Sequence, residues 1–376
     1  MRINIIGGGP AGLYFAILMK KLDAGHRITI SERNRPDDTF GWGVVFSDKT
    51  MSYLRDSDHD SYAAITQNFQ LWDNVNIVHR DQTITIRGNT FSGIARITLL
   101  NLLQRRCLDL GVDIQFETTI SDLDAVSHCD LLVGADGINS LVRQRYSDAF
   151  QTSLTSGTNK YIWLGTHHLF HGITLTFRQT DAGSFAAHSY KYSPTTSTFI
   201  VECPEDTWRR AGFDRMSDEE TCAYLGEVFR KDLGGRPLLS NNSRWINFLL
   251  VKNGRWYHRN VVLLGDALHT AHFSIGSGTK LALEDAIALA RSFEAAKDVP
   301  SALEEFERVR KPIVDDLQAA AHESLRWFET FPEDMHLDPM LFAFKVMTRS
   351  GRVDYENLRK RDPEFVAAYE RATESQ

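Results

Sequence analysis

The feature that most constrains this chain is a cluster of glycines near its start. Gly7, Gly9 and Gly12 stand between a short apolar stretch and a helical pattern, in IIGGGPAGLYFAIL. Ile3 to Ile6 has the composition of a buried strand, and Pro10 to Leu22 carries Leu13, Ala16, Ile17 and Met19 at helical spacing. Ile28 to Glu32 reads as a second strand, which completes a β–α–β unit. In such a unit each glycine of G-x-G-x-x-G has a use. Gly7 permits the tight turn, Gly9 lets backbone approach a pyrophosphate, and Gly12 lets helix and sheet pack closely. The diphosphate then meets the free N–H groups of the helix start, around Pro10 and Ala11. Glu32 follows Gly12 by 20 residues, where a carboxylate can accept ribose hydroxyls, and Arg33 beside it can lie along an adenine. The plain alternative is an ordinary glycine-rich turn. The glycines alone do not decide between NAD and FAD.

Further along, residues 96–110 give an amphipathic helix, and strands are expected at 112–116 and 130–135. From 160 to 203 the character changes. YIWLGT, ITLTFR, FAAHSYKY and STFIVEC are rich in β-branched and aromatic residues, as in an antiparallel sheet. The α/β pattern returns at VVLLGDA (261–267), with helices over about 278–296 and 301–330 and a charged, helical last stretch from 351. The expected fold is therefore α/β. A Rossmann-like nucleotide domain (1–75, 92–155 and 256–330) is interrupted by an inserted β-sheet substrate domain (76–91 and 156–255), and 331–376 forms a C-terminal helical segment.

Two later segments bear on the cofactor. DLLVGADGINSLVR puts Asp136, Gly137, Ser140 and Arg143 at a strand–loop–helix junction, and VVLLGDALHTAHFSIGSGTKLALEDA puts Asp266, Gly276, Gly278 and Thr279 at another. Asp266 at a strand end can hold a ribityl or pyrophosphate oxygen. A helix starting near Gly278 would aim its positive end at a flavin pyrimidine, where negative charge collects on reduction. Together with the first glycines, these motifs resemble the three fingerprints of the single-component FAD-dependent aromatic hydroxylases, the para-hydroxybenzoate hydroxylase family. They occur in the family's order from residue 7 to about 285. The resemblance implies FAD as bound cofactor, with Arg96 on its diphosphate and Val44 among the contacting residues. It also implies reduced nicotinamide (NADH, with NADPH open) as a transient visitor, and O₂ as co-substrate. The expected chemistry is transfer of hydroxyl from a flavin C4a-hydroperoxide to an electron-rich ring.

One stretch departs from the family. Where many members carry a Pro-Pro pair after GDAAH, with backbone that assists hydroxylation, this chain reads Thr270, Ala271, His272, Phe273, Ser274. That wording, with GWGVVFSD (41–48) and NKYIWLGT (159–166), resembles a narrower subgroup acting on salicylyl-CoA, 2-aminobenzoyl-CoA and a tryptophan-derived indole. It implies 5-hydroxylation of salicylyl-CoA to gentisyl-CoA, with the other two rings as alternatives and a non-catalytic flavin-binding partner as a remote one. No second catalytic region follows, so a fused reductase half is not expected.

On the substrate side, strand alternation puts His188, Tyr190 and Tyr192 on one face. His188 there could bind or deprotonate a phenol, with Tyr190 beside it; the plain reading is a histidine satisfied within the sheet. His272 replaces a proline near the reaction centre, while His269 reads as structural. Trp42 and Phe46, in a glycine-flanked loop, would pack over the flavin or simply fill the core. A coenzyme A thioester needs cations, and Arg87, Lys160, Lys191, Arg209, Arg210 and Arg255 are available.

The remaining composition narrows the class. A net charge of −7 argues against nucleic acid as the main partner. Four cysteines without a C-x-x-C pair suggest no zinc site, no disulfide framework and a reducing cytoplasm. No apolar run approaches the ~18–20 residues of a membrane helix. The N-terminal apolar stretch fits a signal peptide poorly because Gly-Gly-Gly-Pro interrupts it. Oligomeric state stays open, a homo-oligomer included.

Overall fold

The computed structural model describes residues 1–376 except Phe40, Ser277, Ser375 and Gln376. Its first sheet has the spatial order Tyr257–His258, Val261–Leu263, Leu131–Gly134, Arg2–Ile6, Arg27–Ser31, Asp113–Gln115. All pairs are parallel except the Tyr257–His258 edge. Parallel strands covered on both faces need continuous apolar runs. Ile3, Ile5, Leu131, Leu132, Val133, Val262 and Leu263 are accordingly buried. Helices Pro10–Leu22, Arg96–Asp109 and Gly278–Ala295 pack together on this sheet. The chain leaves the central strand Arg2–Ile6 toward one edge and later returns on its other side with Leu131–Gly134. In open α/β sheets such a reversal leaves a crevice at the strands' carboxyl ends.

The second sheet runs Leu238–Leu239, Thr152–Thr166, Ser197–Cys203, Gly183–Lys191, Ile173–Thr180, Val75–His79, Gln82–Ile86, with Ile246–Asn253 also paired to Thr152–Thr166. One face carries the short helices Glu205–Ala211 and Asp218–Val228 over Phe185, Phe199, Phe213 and Phe229. The other packs on the long helix Val299–Thr330 and on Pro339–Thr348. There the Phe177 ring is surrounded by Trp327, Phe328, Phe331 and Phe342, with centroids 4.7–6.3 Å away. A third sheet of Gly43–Ser47, Phe91–Ala95 and Gln70–Trp72 completes the set. Helices Tyr355–Arg361 and Pro363–Glu374 close the chain, the latter burying Phe365 and Val366.

Three expectations are corrected. The GWGVVF stretch is no loop beyond Trp42: Gly43–Ser47 is a strand paired with Phe91–Ala95, and the side chain of Phe46 is core, packed against Phe69. The YIWLGT strand begins back at Thr152 and spans 15 residues, its polar first half accommodated by an irregularity between Ser156 and Lys160. The second sheet is also not wholly antiparallel, because Ile173–Thr180 runs parallel to Val75–His79.

Candidate active site

The three motifs, distant in sequence, meet at the carboxyl ends of three adjacent strands. Gly7 follows Arg2–Ile6, Asp136 follows Leu131–Gly134, and Gly265 with Asp266 follows Val261–Leu263. Gly7 (φ +106°) donates to the Ser31 carbonyl at 2.9 Å, and a Cβ on it would lie 2.2 Å from the Ala135 oxygen. A Cβ on Gly12 would lie 2.3 Å from the Gly7 oxygen. A Cβ on Gly9, by contrast, meets no protein atom within 4 Å. Two glycines thus serve close packing and the middle one faces open space. Pro10 and Ala11 form the buried first turn of the helix. The Glu32 carboxylate accepts from Gly8 N at 2.6 Å and Asn34 N at 2.8 Å, so it braces the loop and keeps lone pairs for further donors. Arg33 next to it is exposed.

The second motif is braced in a similar way. Asp136 Oδ2 accepts from Leu141 N at 2.6 Å, while its Oδ1 is buried without a partner. Burial raises this carboxyl, with the Ser140 hydroxyl and the surrounding N–H groups opposing. Gly137 (φ +78°) makes the turn that follows. Arg143, 2 % exposed, donates to the carbonyls of Ala267 (2.9 Å) and Ile138, which ties the Asp136 loop to the Asp266 loop.

Asp266 opens into the cleft, and its side chain makes no hydrogen bond among the described residues. The protein around it raises its carboxyl, against the pull of Arg96, His269 and Arg143. Arg96 heads the helix Arg96–Asp109, half-buried. Its guanidinium has no hydrogen-bond partner among the described residues, and burial lowers its pKa while Asp266 and Tyr190 oppose. Gly276 (φ +61°) ends a 3₁₀ turn over Phe273–Ile275, and Gly278 and Thr279 begin the Gly278–Ala295 helix. Cβ atoms on Gly276 and Gly278 would meet nothing within 4 Å. Val44 is buried opposite Ile94 in the third sheet. An orphaned acceptor, an unpartnered guanidinium, an open glycine at one helix start and open space at another form a donor and acceptor set that fits FAD.

The face of the second sheet beyond these motifs carries His188, 5 % exposed. Its Nε2 lies 2.7 Å from Glu202 Oε1, and its ring sits between Phe328 (4.7 Å) and Phe273 (5.1 Å). Tyr161, opposite Glu202 in register, packs against Phe273 with ring centroids 4.8 Å apart and the planes tilted by 47°. Burial, with the charges of Asp266 and Glu202, pushes its phenol up to about 12. Tyr190 donates to the Gly43 carbonyl at 2.8 Å and stacks on Trp72, so its proton pins the third sheet to the second. His272 is 3 % exposed, hydrogen-bonded through Nδ1 to Ser274 Oγ (2.7 Å), and burial lowers its pKa to about 4. The structure brings His188 and His272 together around Phe273 and gives Tyr190 a backbone partner. His269 faces Asp285 at 2.7 Å, within a buried ionic group completed by Arg310 and Glu284. The indole of Trp42 lies over Gly165, and that of Trp163 over Gly41.

Sequence reasoning missed Glu202, Asn159, Tyr161 and Arg349. The signal for Glu202 was a carboxylate inside the apolar strand TFIVEC, where an unpaired charge is too costly to bury. The six candidate cations do not gather at one point. Arg87 faces Glu364 (3.8 Å), Lys160 faces Asn247 (2.6 Å), Arg209 Glu205 (2.7 Å), Arg210 the Ala182 carbonyl (2.8 Å) and Arg255 Glu307 (3.1 Å). The Lys191 ammonium is left without an ion pair or hydrogen bond among the described residues. No described helix is long and apolar enough to cross a membrane.

Comparison with known proteins agrees with this geometry. Residues 109–321 match the FAD binding domain family. The chain is 41% identical to salicyloyl-CoA 5-hydroxylase of Streptomyces sp over 97% of its own length and 72% of that protein. It is 36% identical to 3-hydroxy-4-methyl-anthranilyl-[aryl-carrier protein] 5-monooxygenase of Streptosporangium sibiricum, covering 95% and 97%. It is also 36% identical to protodeoxyviolaceinate monooxygenase of Chromobacterium violaceum, covering 91% and 93%. In fold it resembles 2-methyl-3-hydroxypyridine-5-carboxylic acid oxygenase, with a TM-score of 0.73 at 19% identity over 96% and 97% of the two chains.

Proposed function

We propose, for a chain that belongs to the FAD-dependent aromatic monooxygenases, that the ring it hydroxylates is that of salicylyl-CoA, at C5, with NADH as reductant. The observation that carries this reading is the buried His188–Glu202 pair, set in an aromatic box against the 272–276 loop that leads into the flavin motif. A phenol is the substrate group that such a pair can use. FAD, once reduced, supplies the activated oxygen. The chain's residues do the rest. Gly9, the helix start at Pro10, Glu32 and Arg33 hold the adenosine diphosphate half, with Arg96 on the diphosphate. Asp136 and Asp266 would accept from hydroxyls of the bound cofactor, and the N–H groups at Gly278 and Thr279 would stabilise negative charge on its flavin. Val44 shapes the wall beside it.

His188 takes or shares the phenol proton, which raises electron density at the carbon para to the oxygen, C5. His272, kept neutral by burial, and the phenyl rings of Phe248, Phe273 and Phe328 exclude water from that ring. The thioester withdraws density but supplies a large handle whose binding energy can position the ring. Of the six candidate cations, Lys191 is the one whose ammonium has no partner among the described residues, and it would meet a phosphate of that handle. The 36% relatives, one acting on a carrier-bound anthranilyl group and one on protodeoxyviolaceinate, keep other rings in view.

NADH consumption under air, with salicylyl-CoA and separately with free salicylate, tests the reading when products are weighed. A product heavier by one oxygen from the thioester alone supports it. Hydroxylation of the free acid alone removes coenzyme A from the account. NADH spent with peroxide released and no product turns the search to other rings.

A further inference from the structure

We propose that Glu202 is a positioning residue: it fixes the proton of His188 on Nε2 and so leaves Nδ1 as the lone pair that accepts the substrate's phenolic proton. The proposal rests on the reading above that the substrate is a phenol. Glu202 is 1 % exposed and sits near the end of its strand, between Tyr161 and Ala186 of the neighbouring strands. Replacing a buried ion pair by well-packed apolar residues is often neutral or stabilising. A carboxylate kept here therefore asks for a role beyond stability.

Both carboxylate oxygens are engaged. Oε1 meets His188 Nε2 at 2.7 Å, and Oε2 accepts from Asn159 Nδ2 at 3.2 Å, whose amide is itself anchored on the Phe328 carbonyl at 2.7 Å. Burial raises the Glu202 carboxyl, but the His188 hydrogen bond, the neighbouring imidazoles and Asn159 outweigh it and hold the group below its ordinary value. An ionised carboxylate only accepts, so Nε2 must donate. Nδ1 has no hydrogen-bond partner among the described residues. In the step that follows, the phenol O–H bond breaks and its electron pair stays on oxygen. The proton bonds to Nδ1, and the imidazolium charge is offset by Glu202 without any movement of the Nε2 proton.

The other titratable groups facing this pair are Tyr161, His272 and Arg349. Burial pushes Tyr161 up to about 12, and lowers His272 to about 4 and Arg349 to about 10. None of the three changes charge in an assay between about pH 6 and 9.

The experiment uses the FAD-loaded enzyme. Histidine labelled with ¹⁵N, with His188 assigned by its loss in His188→Gln, reports the tautomer without substrate. The wild type should show Nε2–H, and Glu202→Leu should lose that preference. Glu202→Gln keeps an acceptor but not the charge, and retained flavin content shows that it folds. With salicylyl-CoA, its kcat should fall about 10–100-fold at a KM within about twofold, less than the roughly 10²–10⁴-fold that a whole general base is worth, because His188 itself remains. The deficit should shrink as the pH is raised and the phenol ionises unaided. An Nδ1–H tautomer in the wild type, or a Glu202→Gln enzyme with wild-type kcat at every pH, overturns the proposal. If the wild type fails to hydroxylate salicylyl-CoA, the substrate reading falls, and the tautomer measurement still decides the role of Glu202.

Discussion

One added methyl at Gly9 or at Gly12 should separate what the first loop does for the cofactor from what it does for the fold. Gly9 sits at φ −79° and ψ 179°, a conformation alanine adopts freely, and its Cβ would meet no protein atom within 4 Å. Alanine is a poorer N-cap than glycine, so Gly9→Ala should cost the apoprotein only about 0.5 kcal/mol. The methyl would nevertheless occupy the space through which a pyrophosphate reaches the helix start. Losing one charge-assisted hydrogen bond there costs about 1.5–3 kcal/mol, which weakens FAD binding roughly 10–150-fold. Gly12→Ala is the reverse case. Its Cβ would lie 2.3 Å from the Gly7 oxygen, 3.1 Å from Ile5 Cγ2 and 3.3 Å from Ala135 Cβ, so strand and loop must part. Overpacking of this kind costs about 1–3 kcal/mol before any cofactor is added. Urea unfolding of the two apoproteins and a flavin-fluorescence titration give the four numbers needed. An unchanged FAD affinity in Gly9→Ala, or apoprotein destabilisation equal to that of Gly12→Ala, would refute the reasoning.

Other expectations follow from groups elsewhere in the fold. Arg96→Leu removes a guanidinium without a hydrogen-bond partner among the described residues, so apoprotein stability should hold while FAD affinity drops about 10–100-fold, as the same titration will show. Arg310→Leu strands the buried carboxylates of Glu284 and Asp285 and should lower unfolding free energy by about 3–5 kcal/mol in urea. Asp58 is buried, and although burial alone raises its carboxyl, hydrogen bonds from Lys21, Ser61 and Arg106 bring it down to about 2. A depressed carboxyl contributes stability that is complete above the unfolded-state value near 4 and lost as pH falls toward 2. Asp58→Asn should therefore be weaker by about 2 kcal/mol at neutral pH, and the deficit should vanish near pH 2 in acid-unfolding curves.

The first sheet was legible because its physics is local. A strand buried on both faces must be an apolar run, and a glycine required by a close approach admits no other residue. Pro10–Leu22 and Gly278–Ala295 consequently lie almost where their periodicity puts them. The second sheet was legible in kind only. Thr152–Thr166 starts in TSLTSGTNK, whose polar residues look like a turn until Ile246–Asn253 pairs with them. His188 could be singled out by alternation, but its partner could not. The pairing depends on the register that sets Glu202 beside Ala186, two positions diagonal from His188, and no spacing in a single strand encodes it. Arg349 was invisible for a similar reason, since it reaches the site from the end of the Pro339–Thr348 helix.

That arginine accounts for the stretch where this chain departs from the family's proline pair. Prolines stiffen a loop by fixing φ and removing alternatives from the unfolded chain. Residues 270–274 contain none, and are held by side-chain hydrogen bonds instead. Thr270 Oγ1 donates to the Leu249 carbonyl (2.7 Å) and accepts from Val251 N (2.8 Å), while Gln318 Nε2 binds the Thr270 carbonyl (2.8 Å). At the far end, His272 Nδ1, Ser274 Oγ, Ser324 Oγ and Arg349 Nε form a chain with links of 2.7, 2.7 and 2.8 Å, and Arg349 Nη2 donates to the Ser274 carbonyl (2.7 Å). Because that chain anchors the loop to the helix Val299–Thr330 and to the end of the helix Pro339–Thr348, its rigidity depends on tertiary packing rather than on the loop's own residues. Arg349→Met should therefore loosen the loop without touching the flavin motifs. FAD affinity should stay within about twofold, while NADH oxidation uncouples from hydroxylation and yields peroxide. Tight coupling in Arg349→Met, or flavin loss as severe as in Arg96→Leu, would show that the loop is held some other way.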